Sequence, residues 1–358
     1  MVPLLLWAAA LATLAIGLSW WVATARTRVH VEIGFDPARV FVGEPAHVLV
    51  RLVNTGRLPI PIVRVGLPLP EGLLADAAPS PLAFRGHRRR LSVAARSEAV
   101  LSLPVFPQER GEFWLDAVHV ELADPFDLAP VRREVSAERP MLVLPRVRGR
   151  AGGVVTRSLP FGRPQPGVQL FEDREHFAGV RDYEPGDPMR SVHWRASAHA
   201  GSLQTKRFEP TRSAEVLLAI DLSVGEPFWQ HMDGEAAEEA IGWTASVARR
   251  ALHAGWRTGL VANTHLRRGR GPLRVRSSTA AGHEAALFAA LARMPAQPTN
   301  DLGPVLREIG RGLPRRTSVV VVSSKPGPAL RHEMTALRRR GVDVIHLPPD
   351  EAGDPVAT

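Results

Sequence analysis

The sequence predicts three parts: an apolar N-terminal helix, an all-β antiparallel sandwich and an open parallel α/β sheet. Three observations carry this reading. Residues 2–25 hold no ionisable side chain. From about residue 28 to 145, short runs of alternating apolar and polar residues are broken by turn residues. From 213 to 348, continuous apolar runs alternate with segments of helical spacing. Alternation with period two suits strands buried on one face, and continuous runs suit strands buried on both. A linker with a charged segment (146–212) would join the two folded parts, and a short tail (349–358) would end the chain.

The first part reads as a transmembrane anchor. At about 1.5 Å per residue, Val2 to Ala25 extends about 36 Å, enough to cross a hydrocarbon core of about 30 Å. Trp7, Trp20 and Trp21 fall near its ends, where indoles favour the membrane interface. The ATA at 23–25 would suit signal-peptide cleavage, but a signal peptide also calls for a basic n-region, and MVPLLLW has none. Arg26 and Arg28 follow directly, and the positive-inside tendency puts the C-terminal bulk in the cytoplasm. The expectation is an uncleaved, single-pass protein of the cell membrane with the lipid bilayer as a partner.

In the second part, RVHVEIGF places Val29, Val31, Ile33 and Phe35 on one face, and AHVLVRLVN, IVRVGLPLP, RRLSVAA, AVLSLPVF and AVHVELA read alike. VNTGRLPIP (53–61) is a hairpin connection. This is the pattern of an immunoglobulin-like sandwich. Residues 146–172, rich in Gly, Pro and Arg, read as an irregular linker. In the third part, EVLLAIDLS (215–223), WRTGLVAN (256–263) and TSVVVVSS (317–324) read as strands. Residues 234–255, 281–294 and 302–313 read as helices, with Gly255 as a stop. ALRRRGVDVIHLP (336–348) closes as helix, glycine and strand. Such alternation implies an open parallel sheet with helices on both faces.

Composition narrows the function. Formal net charge is +9, and lysine occurs only at Lys206 and Lys325, so every other basic residue is arginine. The basic runs RGHRRR (85–90), RRGRG (267–271) and RRR (338–340) lie far apart and lack the aromatic interleaving of single-strand binders, so nucleic acid is not an expected partner. With no cysteine, disulfides, thiolate metal sites and cysteine nucleophiles are excluded. The chain also lacks a P-loop, a G-x-G-x-x-G after a strand, an H-E-x-x-H and a G-x-S-x-G elbow. No organic cofactor is expected.

Two segments stand out. AIDLSVG (219–225) puts Asp221 at the carboxyl end of a parallel strand, where such sheets bind ligands, with Ser223 two residues on. A carboxylate and a hydroxyl together suit a hard cation such as Mg²⁺. The arrangement resembles the metal-ion-dependent adhesion site of von Willebrand factor A domains, D-x-S-x-S, with Thr299 at the position of that family's threonine. Gly225 replaces the second serine, and Ser324 followed by Lys325 stands where the second acid belongs. The resemblance therefore implies a von Willebrand factor A-like sheet whose metal site, Asp221, Ser223 and Thr299, is incomplete.

The second segment, GVRDYEPGDPMRSVHWRASAHAG (179–201), concentrates charge and aromatic rings around a Pro185-Gly186 turn. Asp187 can pair with Arg181 or Arg190, and Trp194 is expected to bury its ring. Arg181, Tyr183, Gly186, Asp187, Arg190, Trp194, Ser197 and Ala198 resemble the recurring motif of the bacterial family of domain of unknown function 58 (DUF58); His199 departs from its usual arginine. That resemblance implies work beside MoxR-type AAA+ ATPases, with other von Willebrand A-domain proteins as further partners, in assembling or remodelling protein complexes. The missing P-loop agrees, since the ATPase would supply the energy. Arg181, Tyr183, Asp187, Arg190, His193 and Trp194 then form the expected docking surface of a non-enzymatic scaffold. The alternatives are a hydrolase with Asp187, His193 and Asp221 at one cleft, and a cell-surface adhesion module.

Overall fold

The computed structural model describes residues 2–74, 87–147, 172–183, 192–210, 215–230, 232–266, 271–314 and 317–349. The chain divides into two compact units between Arg146 and Val147.

In the first unit, helix α1 (Val2–Arg28) runs without a break into β1 (Val29–Asp36). The strands β2 (Arg39–Phe41), β3 (Ala46–Asn54), β4 (Ile60–Leu67), β5 (Leu73–Leu74) and β6 (His87–Val93) follow. After them come β7 (Ser97–Pro107), β8 (Gly111–Phe113), β9 (Val118–Ala123), β10 (Val131–Val135) and β11 (Met141–Leu144). Two four-stranded antiparallel sheets, ordered β1-β3-β7-β5 and β10-β9-β4-β6, enclose one core. A small sheet, β2-β11-β8, includes one parallel pair. The alternation fixes the faces: along β3, Ala46, Val48, Val50 and Leu52 are buried while His47 and Arg51 are exposed.

The helix corrects one expectation. Trp21 is only 6% exposed, and Ala25 is fully buried in the sandwich core. The Trp21 indole Nε1 donates to the Pro59 carbonyl at 3.5 Å, so this ring packs on protein instead of lying at a membrane interface. The free apolar stretch therefore ends at Trp20. From Val2 that is about 28 Å at about 1.5 Å per residue, still close to the thickness of a bilayer core. Arg133 from β10 closes the helix end, donating to the carbonyls of Val29 (2.6 Å), Ala25 (2.8 Å) and Arg26. Those of Ala25 and Arg26 are carbonyls that a helix terminus leaves without intrahelical partners.

In the second unit, β12 (Glu172–Asp182) pairs antiparallel with β13 (Gln204–Pro210), and α2 (Trp194–Ala200) lies between them in sequence. The expected linker and charged segment thus contains two strands and a helix; the irregular stretch expected at 146–172 falls almost wholly outside the described residues. Next come β14 (Glu215–Ile220), α3 (Gly234–His253), β15 (Arg257–Ala262), β16 (Arg274–Ser278), α4 (His283–Arg293) and α5 (Leu302–Gly310). β17 (Thr317–Val322), α6 (Pro328–Arg339) and β18 (Asp343–Leu347) complete it.

Their sheet is ordered β16-β15-β14-β17-β18, parallel except for the edge pair β15·β16. β16 has no counterpart in the sequence reading. Its residues, RVRSS, alternate arginine with half-buried positions, as an edge strand tolerates. The central strands read apolar throughout because helices cover both faces. Asp233 caps α3 by accepting from the Glu235 and Ala236 amides, and Ala237, Ile241, Ala245 and Ala248 pack inward. Gly255 follows α3 at φ 80°, the left-handed region that glycine tolerates. α5 and α6 pack closely, and a Cβ on Gly303 would meet the Ala329 and Leu330 backbone at 2.9–3.0 Å.

Candidate functional site

Asp221 follows the central strand β14, flanked by β15 and β17. In a doubly wound sheet this is the place where successive strands go to opposite sides and ligands gather. Its surroundings are polar and closed. Asp221 Oδ1 accepts from the Ser223 amide (3.1 Å), the Ser223 hydroxyl (2.6 Å) and Asn263 Nδ2 (2.9 Å). Oδ2 accepts from the Ser323 hydroxyl at 3.0 Å. Asn263 Oδ1 in turn accepts from the Leu222 amide at 2.9 Å. Asp221, Ser223, Asn263 and Ser323 are all buried. Burial pushes the Asp221 carboxyl above its ordinary range, against the lowering effect of those four hydrogen bonds.

The structure brings Asp221 and Ser223 together, and Thr299 reaches them through Asn263. The Thr299 amide donates to the Asn263 carbonyl at 2.8 Å, and its hydroxyl is hydrogen-bonded to His265 Nδ1. Ser323, rather than Ser324, answers to Asp221. Sequence reasoning missed Asn263 and Ser323, although each is the first residue after a parallel strand, the position at which a sheet of this kind presents its functional side chains. A hard cation needs an ionised carboxylate with free lone pairs. Here four donors already occupy its two oxygens, so these residues do not fit a Mg²⁺ ion without rearranging.

Nearby, Glu226 accepts from the amides of Ala329 (3.1 Å) and Leu330 (3.2 Å) at the start of α6. A carboxylate there completes the helix N-terminus and meets its positive end. Asp301 accepts from the Phe228 amide at 3.1 Å, and burial, aided by Glu226, raises its carboxyl above the usual range. Among the described residues no three His, Asp or Glu side chains converge as a metal cluster.

The charged segment is only partly described. Arg181 lies on β12 in register with Thr205; Asp187 and Arg190, with the turn between them, lie outside the described residues. Tyr183 is half-buried, and its amide donates to Leu203 O at 2.9 Å. His193 caps α2: its Nδ1 accepts from the Ala196 amide at 3.1 Å. The Ser197 hydroxyl donates to His193 O (3.1 Å) and accepts from the Gln204 amide (2.8 Å), latching α2 to β13. Trp194 overturns an expectation. It is 62% exposed, because the seven-residue helix that it starts buries none of its residues.

The described residues therefore define a two-unit protein: an apolar helix built into a β-sandwich, and an α/β sheet with a closed polar cluster at its strand ends. Residues 179–351 match the family model described as "Protein of unknown function DUF58", so this region of the chain is a DUF58 region, as its motif indicated. Among curated proteins, the chain is 26% identical to the uncharacterized protein YeaD of Bacillus subtilis over 63% of its own length and 53% of that protein's. It is 27% identical to the uncharacterized protein Rv1480 of Mycobacterium tuberculosis over 54% of its own length and 61% of that protein's. The chain thus spans a little over half the length of these relatives. Among solved structures, the CARDB domain of a Pyrococcus furiosus protein, crystallised in complex with di-metal ions, matches at 17% identity and a TM-score of 0.23. That match covers 32% of this chain and 91% of the domain.

Proposed function

We propose that this protein is a membrane-anchored, non-enzymatic scaffold or adaptor that works beside a MoxR-type AAA+ ATPase in assembling or remodelling protein complexes. The observation that carries the anchoring is the seating of α1: Trp21 and Ala25 belong to the sandwich core, and Arg133 ties the helix end to β10. Cleavage after Ala25 would remove core residues, so the helix is retained and joined to a folded unit. Arg26 and Arg28 favour a cytoplasmic body by the positive-inside tendency. The sandwich agrees with an immunoglobulin-like domain, and the strand order β16-β15-β14-β17-β18 with a von Willebrand A-like one. The ATPase partner rests on the DUF58 resemblance.

The closed cluster around Asp221 suits a structural role, with no metal or other cofactor required. The exposed Trp194, next to His193 at the start of α2, suits docking. The test is a pull-down from detergent-solubilised membranes. Parent protein is expected to retain an AAA+ ATPase, and Arg190→Ala to lose at least tenfold of it while melting as the parent does. Failure of the parent to retain any ATPase would overturn the partnership. Intact mass of the membrane-extracted chain lacking residues 1–25 would overturn the anchor.

A further inference from the structure

The end of the sandwich that receives α1 carries more than the helix. The Thr55 amide donates to Arg28 O, and the Trp21 indole meets Pro59 O, so the loop 55–59 flanks the last turns of α1. The turn at 94–96 lies beside it: Arg96 N donates to Gly56 O, and Asn54 Nδ2 donates to Ala94 O. Strand register brings a third loop to the same end. β4 starts at Ile60, next to Pro59, and Ile62 pairs with Ala123, the last residue of β9. The loop 124–130 that leaves β9 therefore projects from the end where α1 joins.

That loop exposes two large apolar side chains on a rigid frame. Phe126 is 69% and Leu128 59% exposed. Beneath them the buried Asp124 accepts from the amides of Phe126 (2.8 Å), Leu128 (2.9 Å) and Ala129 (2.7 Å). Asp127 adopts φ 57°, which aspartate tolerates, and its carboxylate is held by Arg64. Four exposed arginines, Arg26, Arg28, Arg57 and Arg96, share this end, and its one exposed carboxylate among the described residues of these loops, Asp127, is already paired.

An exposed apolar pair and four exposed arginines at one end of the sandwich, the end where an apolar helix leaves the fold, match the chemistry of a bilayer interface, apolar beneath and anionic above. We propose that the 124–130 loop is a second membrane contact, a foot that inserts Phe126 and Leu128 at the lipid interface while the arginines meet anionic headgroups. This rests on α1 being the anchor. With both contacts made, the sandwich is fixed in tilt as well as in place, because one helix allows rotation about its axis and two contacts do not.

The chain has no cysteine, so single labelling sites are clean. Full-length Leu128→Cys, Leu11→Cys and Ala38→Cys would each carry an environment-sensitive fluorophore in vesicles of phosphatidylcholine and phosphatidylglycerol containing nitroxide-labelled lipid. Leu11 lies in the free part of α1, and Ala38 lies beyond the far end of β1. The expected result is a blue-shifted, strongly quenched label at positions 11 and 128 and an unquenched one at 38. Quenching at 11 with position 128 behaving like 38 would overturn the foot and leave the anchor standing. A label at 11 that is itself unquenched would overturn both.

Discussion

Replacing Asp221 in two ways separates a buried structural acid from a ligand site. Four donors converge on its carboxylate: the Ser223 amide and hydroxyl, Asn263 Nδ2 and the Ser323 hydroxyl. Asp221→Ala removes the acceptor for all four. The two hydroxyls can turn elsewhere, but the Ser223 amide and Asn263 Nδ2 cannot. A buried donor left unmade costs about 1–3 kcal/mol, so the loss should be about 2–6 kcal/mol. Asp221→Asn keeps an oxygen for the three donors at Oδ1 and offers Nδ2 to Ser323, whose hydroxyl can accept. It also removes the need to bury a charge, so it should lie within about 1 kcal/mol of the parent at pH 7.

The pH dependence has a definite sign. Burial raises the folded carboxyl above its unfolded value. Its contribution is therefore fully present below the unfolded pKa of about 3.9 and is lost as pH rises through the raised folded value. The parent should lose stability over that window relative to Asp221→Asn. The assay is denaturant unfolding of the detergent-solubilised chain across pH, following the second unit's transition, with and without about 0.1 mM Mg²⁺. Equal loss in Asp221→Asn and Asp221→Ala, or Mg²⁺ stabilisation that Asp221→Asn abolishes, would refute the structural account.

Other outcomes follow from particular contacts. Trp194→Ala should change stability by less than about 1 kcal/mol, since its ring is mostly exposed, yet weaken ATPase retention in the pull-down, as exposed tryptophans at docking surfaces do. Arg133→Ala leaves three backbone carbonyls at the junction of α1 and β1 without this donor and should lower the first unit's stability by about 2–3 kcal/mol in chemical denaturation. Gly327→Ala would put a Cβ 2.3–2.4 Å from the Glu226 side chain, forcing that carboxylate off the α6 amides; a melting curve should register a loss of about 1–3 kcal/mol.

The order of elements in the regular regions could be read from the residues alone. The buried strands β14, β15 and β17 and the helices between them were legible because continuous apolar runs and a 3.6-residue period have few other uses. Residues 2–25 were legible as an apolar helix for the same reason, as was Asp221 at a strand end, because its neighbours on both sides are apolar. The DUF58 motif was legible as residue types at fixed spacing.

Which side chains meet depends on how the strands pair and was not legible in local spacing. Asn263 and Ser323 are separated by 42 and 102 residues from Asp221, and parallel pairing across β15, β14 and β17 brings them to one carboxylate. Trp21 and Trp194 had the same apolar rings on the page, but one became core and the other surface. Trp21 faces the sandwich because α1 continues directly into β1, and the chain has no room to turn it away. Trp194 starts a seven-residue helix that buries none of its residues, so its ring stays mostly exposed. Burial depends on what the rest of the chain lays against a residue, and local spacing carries no record of that when the contact comes from a strand far away in sequence.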